Sequence, residues 1–407
     1  MAALRVAYIN SVAGFGSTGR IVDQLSSMDG IEGMIFYGRK ADMAKNPAYR
    51  FTKAPGNAKH ILMTFLNDRH GFYNSAETRN LNRQISEFHP DLIHLHNLHG
   101  YYLDIATLFP YLKQTGVPVI WTLHDCWSFT GHCAHYESIP CEKWKTLCQD
   151  CPALLRYPPT WSGKSVTKNY LQKKQIFNSL GSQLTIVTPS NWLAGQVRMS
   201  FLGMNTIRTI HNGISISDFH RSESGFRTQQ HIENKFMILA CASTWYKEKG
   251  LNDLAEFSHM INKSCVLVVI GLRMEQKLRF SKDTIFISHI ESKQEMSDVY
   301  SAADVFLNLS LEDTFPTVNL EAQACGCPVI TYQTGGCPET VSRSTGIVVE
   351  KGNLISVLQN INDLQAKKTT FQKSECEKWA AGFSLDHMCN EYMKLYQTTA
   401  GNNHDKT

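Results

Sequence analysis

The chain has 407 residues, of which 43% are hydrophobic and 19% are charged. This length exceeds one ordinary hydrophobic core and predicts two domains, while the composition excludes a disordered or low-complexity protein. The formal net charge of +4 gives no basis for nucleic-acid binding, so we expect no nucleic-acid partner.

Apolar runs in the sequence are too short to span a membrane. The longest, Cys265–Ile270, has the length of a strand. Residues 1–5 lead directly into a strand pattern without the apolar stretch of a secretory signal, so we expect a cytoplasmic protein. In that compartment the twelve cysteines would be reduced or metal-bound.

Short apolar runs alternate with longer amphipathic segments, a pattern typical of parallel strands covered by helices on both faces. The first six predicted strands are Leu4–Asn10, Gly33–Arg39, Asp91–Asn97, Pro118–Asp125, Leu184–Ser190 and Ile207–Gly213. The next six are Phe236–Ser243, Ser264–Gly271, Thr284–His289, Val305–Ser310, Pro328–Thr334 and Gly346–Glu350. Two such sets predict an α/β protein with two doubly wound, Rossmann-like halves.

The predicted domain organisation follows from these two strand sets. Its segments are a first domain at 1–213 with a cysteine-rich insertion at 126–152, a polar linker at 214–235, a second domain at 236–382, a last helix at 383–400 and a polar tail at 401–407. In the last helix, Met388, Tyr392 and Tyr396 recur at near-helical spacing after Ser384, a residue type that caps helices. We expect this helix to pack back on the first domain.

A glycine-rich loop follows the first predicted strand, with Gly14, Gly16 and Gly19 before a helical pattern. Glycines let backbone N–H groups approach a ligand, and a helix N-terminus favours an anion, so Gly16, Ser17, Thr18 and Gly19 are candidate phosphate contacts. No acidic residue closes the second strand as a dinucleotide-binding fingerprint requires, and a tight turn without a ligand is the alternative.

Apolar and basic side chains are mixed from Asn57 to Arg83. A segment of this kind can lie at a lipid headgroup surface or line a site for a phosphorylated lipid. An amphipathic helix with one solvated face is the alternative interpretation.

Histidines lie along the third predicted strand and at the ends of the third and fourth. His94 and His96 alternate on one side of a strand, where structural histidines are a stronger interpretation than a metal site. His99 and the pair His124 and Asp125 lie at the carboxyl ends of strands, where ligands of parallel sheets bind. These groups can form hydrogen bonds with a sugar or a phosphate.

Four cysteines, Cys133, Cys141, Cys148 and Cys151, occur close together, and the last two form a Cys-x2-Cys pair. Thiolates at such spacing suit tetrahedral zinc, and a reducing compartment disfavours disulfides. The spacing therefore predicts a structural zinc site, with reduced buried cysteines or a disulfide as the alternatives.

In the second half, Lys249 lies in a strand-to-helix loop and can bind a diphosphate as a point charge. An ordinary surface lysine is the alternative. His289 and Ile290, followed by Glu295, lie where a base and a ribose would cross the end of the third strand of this half.

The stretch 305–330 runs from a buried strand through an acidic turn into a helix and a second strand. It places Asp313 in the turn and Glu321 in the helix. Ligands of parallel sheets bind at such strand ends, and carboxylates accept hydrogen bonds from sugar hydroxyls, so a phosphorylated ligand is expected here. Asp313 can alternatively cap the helix.

This stretch resembles the E-x7-E region of retaining glycosyltransferases of family 4, and the resemblance covers nearly the whole chain. Four further segments resemble the family in its expected order: Pro189–Trp192, Asn212–Ile214, Trp245–Gly250 and Tyr300–Phe306. Segments 16–19, 93–102 and 121–133 resemble a subgroup acting in exopolysaccharide, colanic-acid or O-antigen assembly. The family implies the GT-B fold, with two Rossmann-like domains facing a central cleft.

The resemblance also implies residue roles. Glu321 matches the glutamate that binds the donor ribose, Lys249 matches the lysine on the donor diphosphate, and His124 is similar to a histidine close to the donor sugar. With Asp313 in the place of the first glutamate, these four residues form the expected catalytic set. The predicted donor-binding residues are Gly16, Ser17, Thr18, Gly19, Ser243, Lys249, His289, Ile290, Glu295, Thr314, Phe315, Pro316 and Glu321.

Two positions depart from the family pattern. Asp313 is one methylene shorter than the expected glutamate and has Glu312 beside it, so either carboxylate can fill that role. Ser243 stands where many members have an arginine. Lys249 and the helix N-termini would then carry more of the charge of the leaving diphosphate.

The resemblance implies a retaining hexosyltransferase, and the lack of an Asp-x-Asp motif agrees with catalysis that needs no metal or other cofactor. The donor would be a UDP- or GDP-sugar, and the acceptor a polyprenyl-diphosphate-linked glycan in bacterial surface polysaccharide biosynthesis. Such an acceptor implies peripheral contact with the inner membrane. The alternatives are a GT-B sugar-nucleotide epimerase and a catalytically inactive, zinc-stabilised binding protein.

Overall fold

The computed structural model describes residues 3–42, 46–223 and 225–404, with side chains as far as residue 401. Ser224 of the predicted linker and residues 405–407 of the predicted tail lie outside this description. The chain divides into two compact units: unit 1 consists of residues 1–210 and 389–407, and unit 2 of residues 211–388. The domain boundaries drawn from the sequence stay a prediction.

Within the described part of unit 1, seven parallel strands form one sheet in the order β3-β2-β1-β4-β5-β6-β7. The strands are β1 (Leu4–Asn10), β2 (Ile31–Tyr37), β3 (Ala48–Arg50), β4 (Leu92–Leu95), β5 (Val119–Thr122), β6 (Leu184–Thr188) and β7 (Thr206–Thr209). The sequence does not predict β3, because this short edge strand has no apolar run. The helices are α1 (Gly16–Ser26), α2 (Ala54–Asn67), α3 (Ser75–Phe88), α4 (Ile105–Thr115), α5 (Val166–Asn178) and α6 (Asn191–Met199).

The described part of unit 2 has six parallel strands in the order β10-β9-β8-β11-β12-β13. They are β8 (Phe236–Cys241), β9 (Cys265–Ile270), β10 (Ile285–Ile287), β11 (Val305–Asn308), β12 (Val329–Tyr332) and β13 (Gly346–Val349). The helices are α7 (Phe226–Gln229), α8 (Leu251–Ser258), α9 (Met274–Lys277), α10 (Lys293–Ala302), α11 (Thr317–Ala324), α12 (Leu354–Gln365) and α13 (Lys373–Ala381), and α14 (Leu385–His404) begins here. This is the strand order of a doubly wound sheet, so the predicted α/β fold class is confirmed.

The continuous apolar runs of the sequence correspond to strands that are buried on both faces. Every residue of β9 and of β12 is buried. Helices cover the two faces of such a sheet and form the hydrophobic core against it. Within the described ranges, no helix has both the length and the apolar character needed to cross a membrane.

The last helix begins after Ser384, whose Oγ accepts a hydrogen bond from the backbone N–H of His387. Within unit 1, the hydroxyl of Tyr396 lies 2.6 Å from Nδ1 of His94, and that of Tyr392 lies 2.9 Å from Oγ1 of Thr122. Both tyrosines are fully buried, so these hydrogen bonds satisfy polar groups that would otherwise destabilise the core.

The turn between β8 and α8 is held in place by a close backbone approach. Gly250 has a φ of +77°, and a Cβ atom at this position would lie 2.1 Å from the carbonyl oxygen of Leu309. In addition, the N–H of Leu311 donates to the carbonyl oxygen of Glu248 at 2.8 Å. The turn that carries Lys249 therefore packs directly against the segment that follows β11.

We expect Gly250→Ala to lower the free energy of unfolding by more than ~2 kcal/mol. A non-glycine residue at positive φ costs roughly 1 kcal/mol, and the backbone clash adds to that cost. Gly352→Ala is the matched control, because Gly352 has a φ of +81° but no atom within 4 Å of the added Cβ. Urea denaturation would measure both variants, and equal losses would contradict the packing argument.

Candidate active site

Lys249 and Asp313 form an ion pair in the loops that follow β8 and β11. The Nζ atom of Lys249 lies 2.6 Å from Oδ2 of Asp313, and the side chains are 31% and 13% exposed. Burial alone would lower the pKa of Lys249, but the nearby Asp313 and Tyr246 raise it, and its net pKa lies above the ordinary value. Lys249 is therefore a fixed cation at neutral pH.

The backbone around Asp313 fixes the position of its carboxylate. Oδ1 accepts a hydrogen bond from the N–H of Phe315 at 3.2 Å, and the carbonyl oxygen accepts one from Gly336 at 3.0 Å. The N-cap residue of α11 is Pro316, so the alternative of Asp313 as the helix cap is wrong. Of the two adjacent acidic residues, Asp313 is the one that pairs with Lys249. Glu312 is buried, with 6% of its surface exposed.

Two hydroxyl groups hold the carboxylate of Glu321 in α11. The Tyr300 hydroxyl donates to Oε2 and the Thr317 hydroxyl donates to Oε1, both at 3.3 Å. Tyr300 is fully buried, and burial raises its pKa well above the usual range, so its hydroxyl remains a donor. Tyr300 lies in a family-like segment, but the sequence alone assigns it no role.

A buried polar network fixes α11 relative to its neighbours. Asn308 donates to Oδ1 of Asn319, and Asn319 donates to Oγ1 of Thr340, both at 2.8 Å. Gln323 donates to the carbonyl oxygens of Asn319 and Thr340. Sequence reasoning misses these residues, although two amides four positions apart on one helix face are a usable signal.

The other predicted donor-binding residues of unit 2 lie in loops and on helix ends. Thr314, Phe315 and Pro316 follow Asp313 directly, and Ser243 is exposed in the loop after β8. His289 and Ile290 follow the outer strand β10. Glu295 is exposed in the first turn of α10, where its N–H bonds to Ser292 Oγ at 3.0 Å. Direct contact therefore joins Lys249 to Asp313, whereas His289 and Ile290 follow a strand that lies two places from β8 in the sheet.

In unit 1, the glycine-rich loop forms a tight turn into α1. Gly14 and Gly16 have φ values of +63° and +66°, which favour glycine. A Cβ atom at Gly19 would lie 3.1 Å from Cγ2 of Val12, so the turn is closely packed. Thr18 Oγ1 accepts a weak hydrogen bond from Asn97 at 3.4 Å, and Ser17 is exposed.

His124 pairs with a second histidine. Its Nε2 lies 3.0 Å from Nδ1 of His96, and the two rings stack. Burial lowers the pKa of His124 to about 4 against an opposing effect of Asp125, and burial also lowers the pKa of His96 well below its usual range. Both rings are neutral at pH 7, so one nitrogen of the pair donates and the other accepts. His94 bonds to two hydroxyls and is structural.

His99 forms a second polar cluster in unit 1, with Asp125 and Tyr157. Its Nε2 lies 2.6 Å from Oδ2 of Asp125, and its Nδ1 lies 3.1 Å from the hydroxyl of Tyr157. Burial would raise the pKa of Asp125, but His99 and the N–H of Trp127 lower it to about 2. The sequence does not predict Tyr157, because no local pattern connects it with His99.

The structure does not support the predicted zinc site. Cys133, Cys141, Cys148 and Cys151 line one small cavity of about 20 Å³. Among the described residues, however, no group of three or more His, Cys, Asp or Glu side chains is placed to hold a metal ion. Interaction with Cys151 and burial raise the pKa of Cys133, and burial raises that of Cys148 to about 11, whereas the interaction with Cys133 lowers the pKa of Cys151 to about 6. Two of the four thiols are therefore protonated at neutral pH, whereas zinc requires thiolates. The alternative of reduced cysteines agrees with this geometry, since all four are free, with Cys133 and Cys148 buried and Cys141 and Cys151 partly buried.

The sequence of the chain matches two glycosyltransferase family models. Residues 35–218 match the family model described as Glycosyltransferase Family 4, and residues 235–367 match the one described as Glycosyl transferases group 1. The chain belongs to glycosyltransferase family 4.

Individual relatives extend the comparison. The chain is 26% identical over 333 residues to the putative colanic acid biosynthesis glycosyl transferase WcaC of Escherichia coli, which covers 76% of each chain. It is 24% identical over 185 residues to the N,N'-diacetylbacillosaminyl-diphospho-undecaprenol alpha-1,3-N-acetylgalactosaminyltransferase of Campylobacter jejuni. That match covers 42% of this chain and about half of the relative, 47%.

A solved structure confirms the GT-B fold. HepE of Anabaena in complex with UDP-glucose matches with a TM-score of 0.68 at 14% identity. The match covers 97% of this chain and 100% of that one.

We expect the buried histidines to make the protein acid-sensitive. Their folded-state pKa values lie below the unfolded value near 6.5, so the unfolded chain binds more protons as the pH falls through that value. Each histidine that stays neutral in the fold then costs about 2 kcal/mol of stability between pH 7 and pH 5. The residues concerned are His60, His70, His94, His96 and His124.

Urea denaturation at both pH values would measure this loss. His94→Gln should reduce the difference between the two pH values, whereas His387→Gln, at an exposed position, should leave it unchanged. A free energy of unfolding that is the same at pH 7 and pH 5 would rule out neutral buried histidines.

Proposed function

We propose that the chain is a retaining hexosyltransferase that moves a sugar from a UDP- or GDP-sugar to a lipid-linked oligosaccharide in bacterial surface polysaccharide biosynthesis. The observation that carries this proposal is the ion pair of Lys249 and Asp313 in a chain of glycosyltransferase family 4. The names of the relatives support it, since one is assigned to colanic acid biosynthesis and another to a diphospho-undecaprenol-linked acceptor. The Anabaena structure holds UDP-glucose.

The proposed chemistry centres on the charge of the leaving group. Breaking the bond between the sugar and the phosphate leaves negative charge on the diphosphate, and a prepositioned cation stabilises that charge. Lys249 supplies the cation, and backbone N–H groups at helix N-termini add to it, so the reaction needs no metal ion. Asp313 holds the ammonium group of Lys249 in position. When the donor binds, Lys249 exchanges its contact with Asp313 for a contact with the diphosphate.

The remaining roles follow from the family resemblance. Glu321, oriented by Tyr300 and Thr317, accepts hydrogen bonds from the donor ribose. Neutral His124 contacts the donor sugar, and the loop from Gly16 to Gly19, with Ser17 and Thr18, contacts the diphosphate or the acceptor. Further donor contacts are assigned to Ser243, His289, Ile290, Glu295, Thr314, Phe315 and Pro316.

The proposed setting is the cytoplasmic face of the inner membrane, where a polyprenyl-diphosphate-linked acceptor would be available. Residues 236–382 are proposed as the donor-binding domain and residues 1–213 as the acceptor-side domain. The segment 214–235 is proposed as the linker between them, although it lies within unit 2, where Arg227 pairs with Asp304 at 2.6 Å.

Lys249→Ala and Glu321→Ala should each lower the rate of sugar transfer by about 100-fold or more, because each removes a group that acts on the donor. Lys247→Ala is the matched control, since Lys247 is an exposed lysine in the same turn. Circular dichroism would show that the variants remain folded. Near-normal transfer by both site variants would refute the site assignment.

The donor can be identified by measuring the hydrolysis of a panel of UDP- and GDP-sugars. We expect one nucleotide base to be preferred and the released sugar to keep its anomeric configuration. Isomerisation of a UDP-sugar in the absence of an acceptor would instead indicate the epimerase, and turnover of no donor would favour the inactive binding protein.

A further inference from the structure

Helix α2 buries three polar side chains. Asn57, His60 and Thr64 are at most 8% exposed and face the interior of unit 1. Asn57 donates to the carbonyl oxygen of Gly38 at 2.8 Å. His60 bonds to Asn74 through Nδ1 and accepts from the N–H of Gly71 through Nε2. These hydrogen bonds fix the rotation of the helix about its axis.

The opposite face of α2 is apolar and points to solvent. Ile61, Leu62, Phe65 and Leu66 are 43%, 57%, 40% and 49% exposed. Positions i, i+1, i+4 and i+5 lie on one side of an α-helix, so these four side chains form a continuous stripe. A helix on the surface of a globular protein ordinarily has the reverse arrangement, with its apolar stripe inside.

A tryptophan extends this stripe. Trp161 is 78% exposed, and its backbone N–H donates to the carbonyl oxygen of Phe65 at 2.7 Å. The hydroxyl of Thr160 donates to the same oxygen at 3.0 Å. We call Ile61, Leu62, Phe65, Leu66 and Trp161 the apolar surface of unit 1. Contiguous exposed patches of this kind mark interaction sites.

The two segments that carry the apolar surface contain basic residues and no acidic ones. Residues 53–67, which include α2, contain Lys53 and Lys59 and no Asp or Glu. Residues 152–168, around Trp161, contain Arg156, Lys164 and Lys168 and again no Asp or Glu. The four lysines are exposed. An apolar stripe flanked by cations complements an anionic lipid surface, and tryptophan favours the level of the headgroups.

We propose that the apolar surface docks unit 1 on an anionic membrane, with Leu62, Leu66 and Trp161 at the boundary between headgroups and acyl chains and the lysines on lipid phosphates. The biological setting rests on the proposed function, because a lipid-linked acceptor brings the reaction to a membrane. The docking itself requires neither donor nor acceptor. It can therefore be tested without any transfer reaction.

The test is co-sedimentation of the full-length protein with unilamellar vesicles. We expect binding to vesicles that contain phosphatidylglycerol, weaker binding at high salt, and little binding to pure phosphatidylcholine. The double variant Leu62→Asp with Leu66→Asp should lose about tenfold or more in affinity for these vesicles. Lys59→Glu with Lys164→Glu should weaken binding mainly at low salt.

Leu278→Asp is the matched control, because Leu278 is 89% exposed but lies in unit 2. It should bind vesicles as the wild type does. The proposal is overturned if the wild type does not bind anionic vesicles, or if Leu278→Asp weakens binding as much as the double variant does. It is also overturned if light scattering shows a dimer that the double variant dissociates, because a second copy would then cover the surface.

Hydrolysis of a soluble sugar nucleotide in the absence of vesicles separates this proposal from the proposed function. The double variant should keep the wild-type rate, because its substitutions lie outside the candidate active site. Vesicle binding without hydrolysis would refute the proposed function and support the docking surface. Hydrolysis without vesicle binding would support the proposed function and refute the docking surface.

Discussion

The candidate active site depends on a fixed ion pair between Lys249 and Asp313. An isolated lysine on the protein surface would move freely, and its charge would be screened by solvent. Here the carboxylate lies 2.6 Å from the ammonium group, and backbone hydrogen bonds hold that carboxylate in turn. A cation prepositioned in this way needs little reorganisation when negative charge develops on a ligand.

The topology of the parallel sheet makes this contact available. Strands β8 and β11 are neighbours in unit 2, so the loops at their carboxyl ends emerge side by side. Because Gly250 has no side chain, the loop after β8 can pack directly against the backbone of Leu309 in the loop after β11. The buried amides of Asn308 and Asn319 then position α11 and, with it, Glu321.

Unit 1 uses buried polar groups in a related way. Hydrogen bonds with the hydroxyls of Tyr396 and Thr122 fix His94. The hydrogen bonds of Asn57 and His60 determine which face of α2 lies inside. Because an unpaired buried polar group is costly, such bonds can hold an apolar stripe in solvent against the hydrophobic effect. The same constraint therefore produces both an ordered interior and an unusual surface.

The sequence predicts the fold class well, because strands that are buried on both faces leave continuous apolar runs. It does not predict β3, since three residues at a sheet edge carry no such signal. Among site residues, Lys249 and Asp313 are both candidates from their loops, but their contact joins positions 64 apart in sequence and depends on the tertiary fold.

Local sequence patterns do not predict several other features of the structure. The spacing of Cys133, Cys141, Cys148 and Cys151 predicts a zinc site, yet spacing does not determine where the sulfur atoms point or whether burial raises the pKa of a thiol, as it does for Cys148. Tyr300 acts on Glu321 through a contact between two helices. For α2, the mixture of apolar and basic residues indicates an amphipathic helix but not which face is buried.

Calorimetric titration of a nucleoside diphosphate and of its nucleoside tests the central claim most directly. The measurement compares the wild type with Lys249→Met, using whichever of UDP or GDP the wild type binds. If Lys249 binds the diphosphate, the variant should lose about tenfold or more in affinity for the nucleoside diphosphate and should bind the nucleoside as the wild type does. An unchanged affinity for the diphosphate would contradict the account.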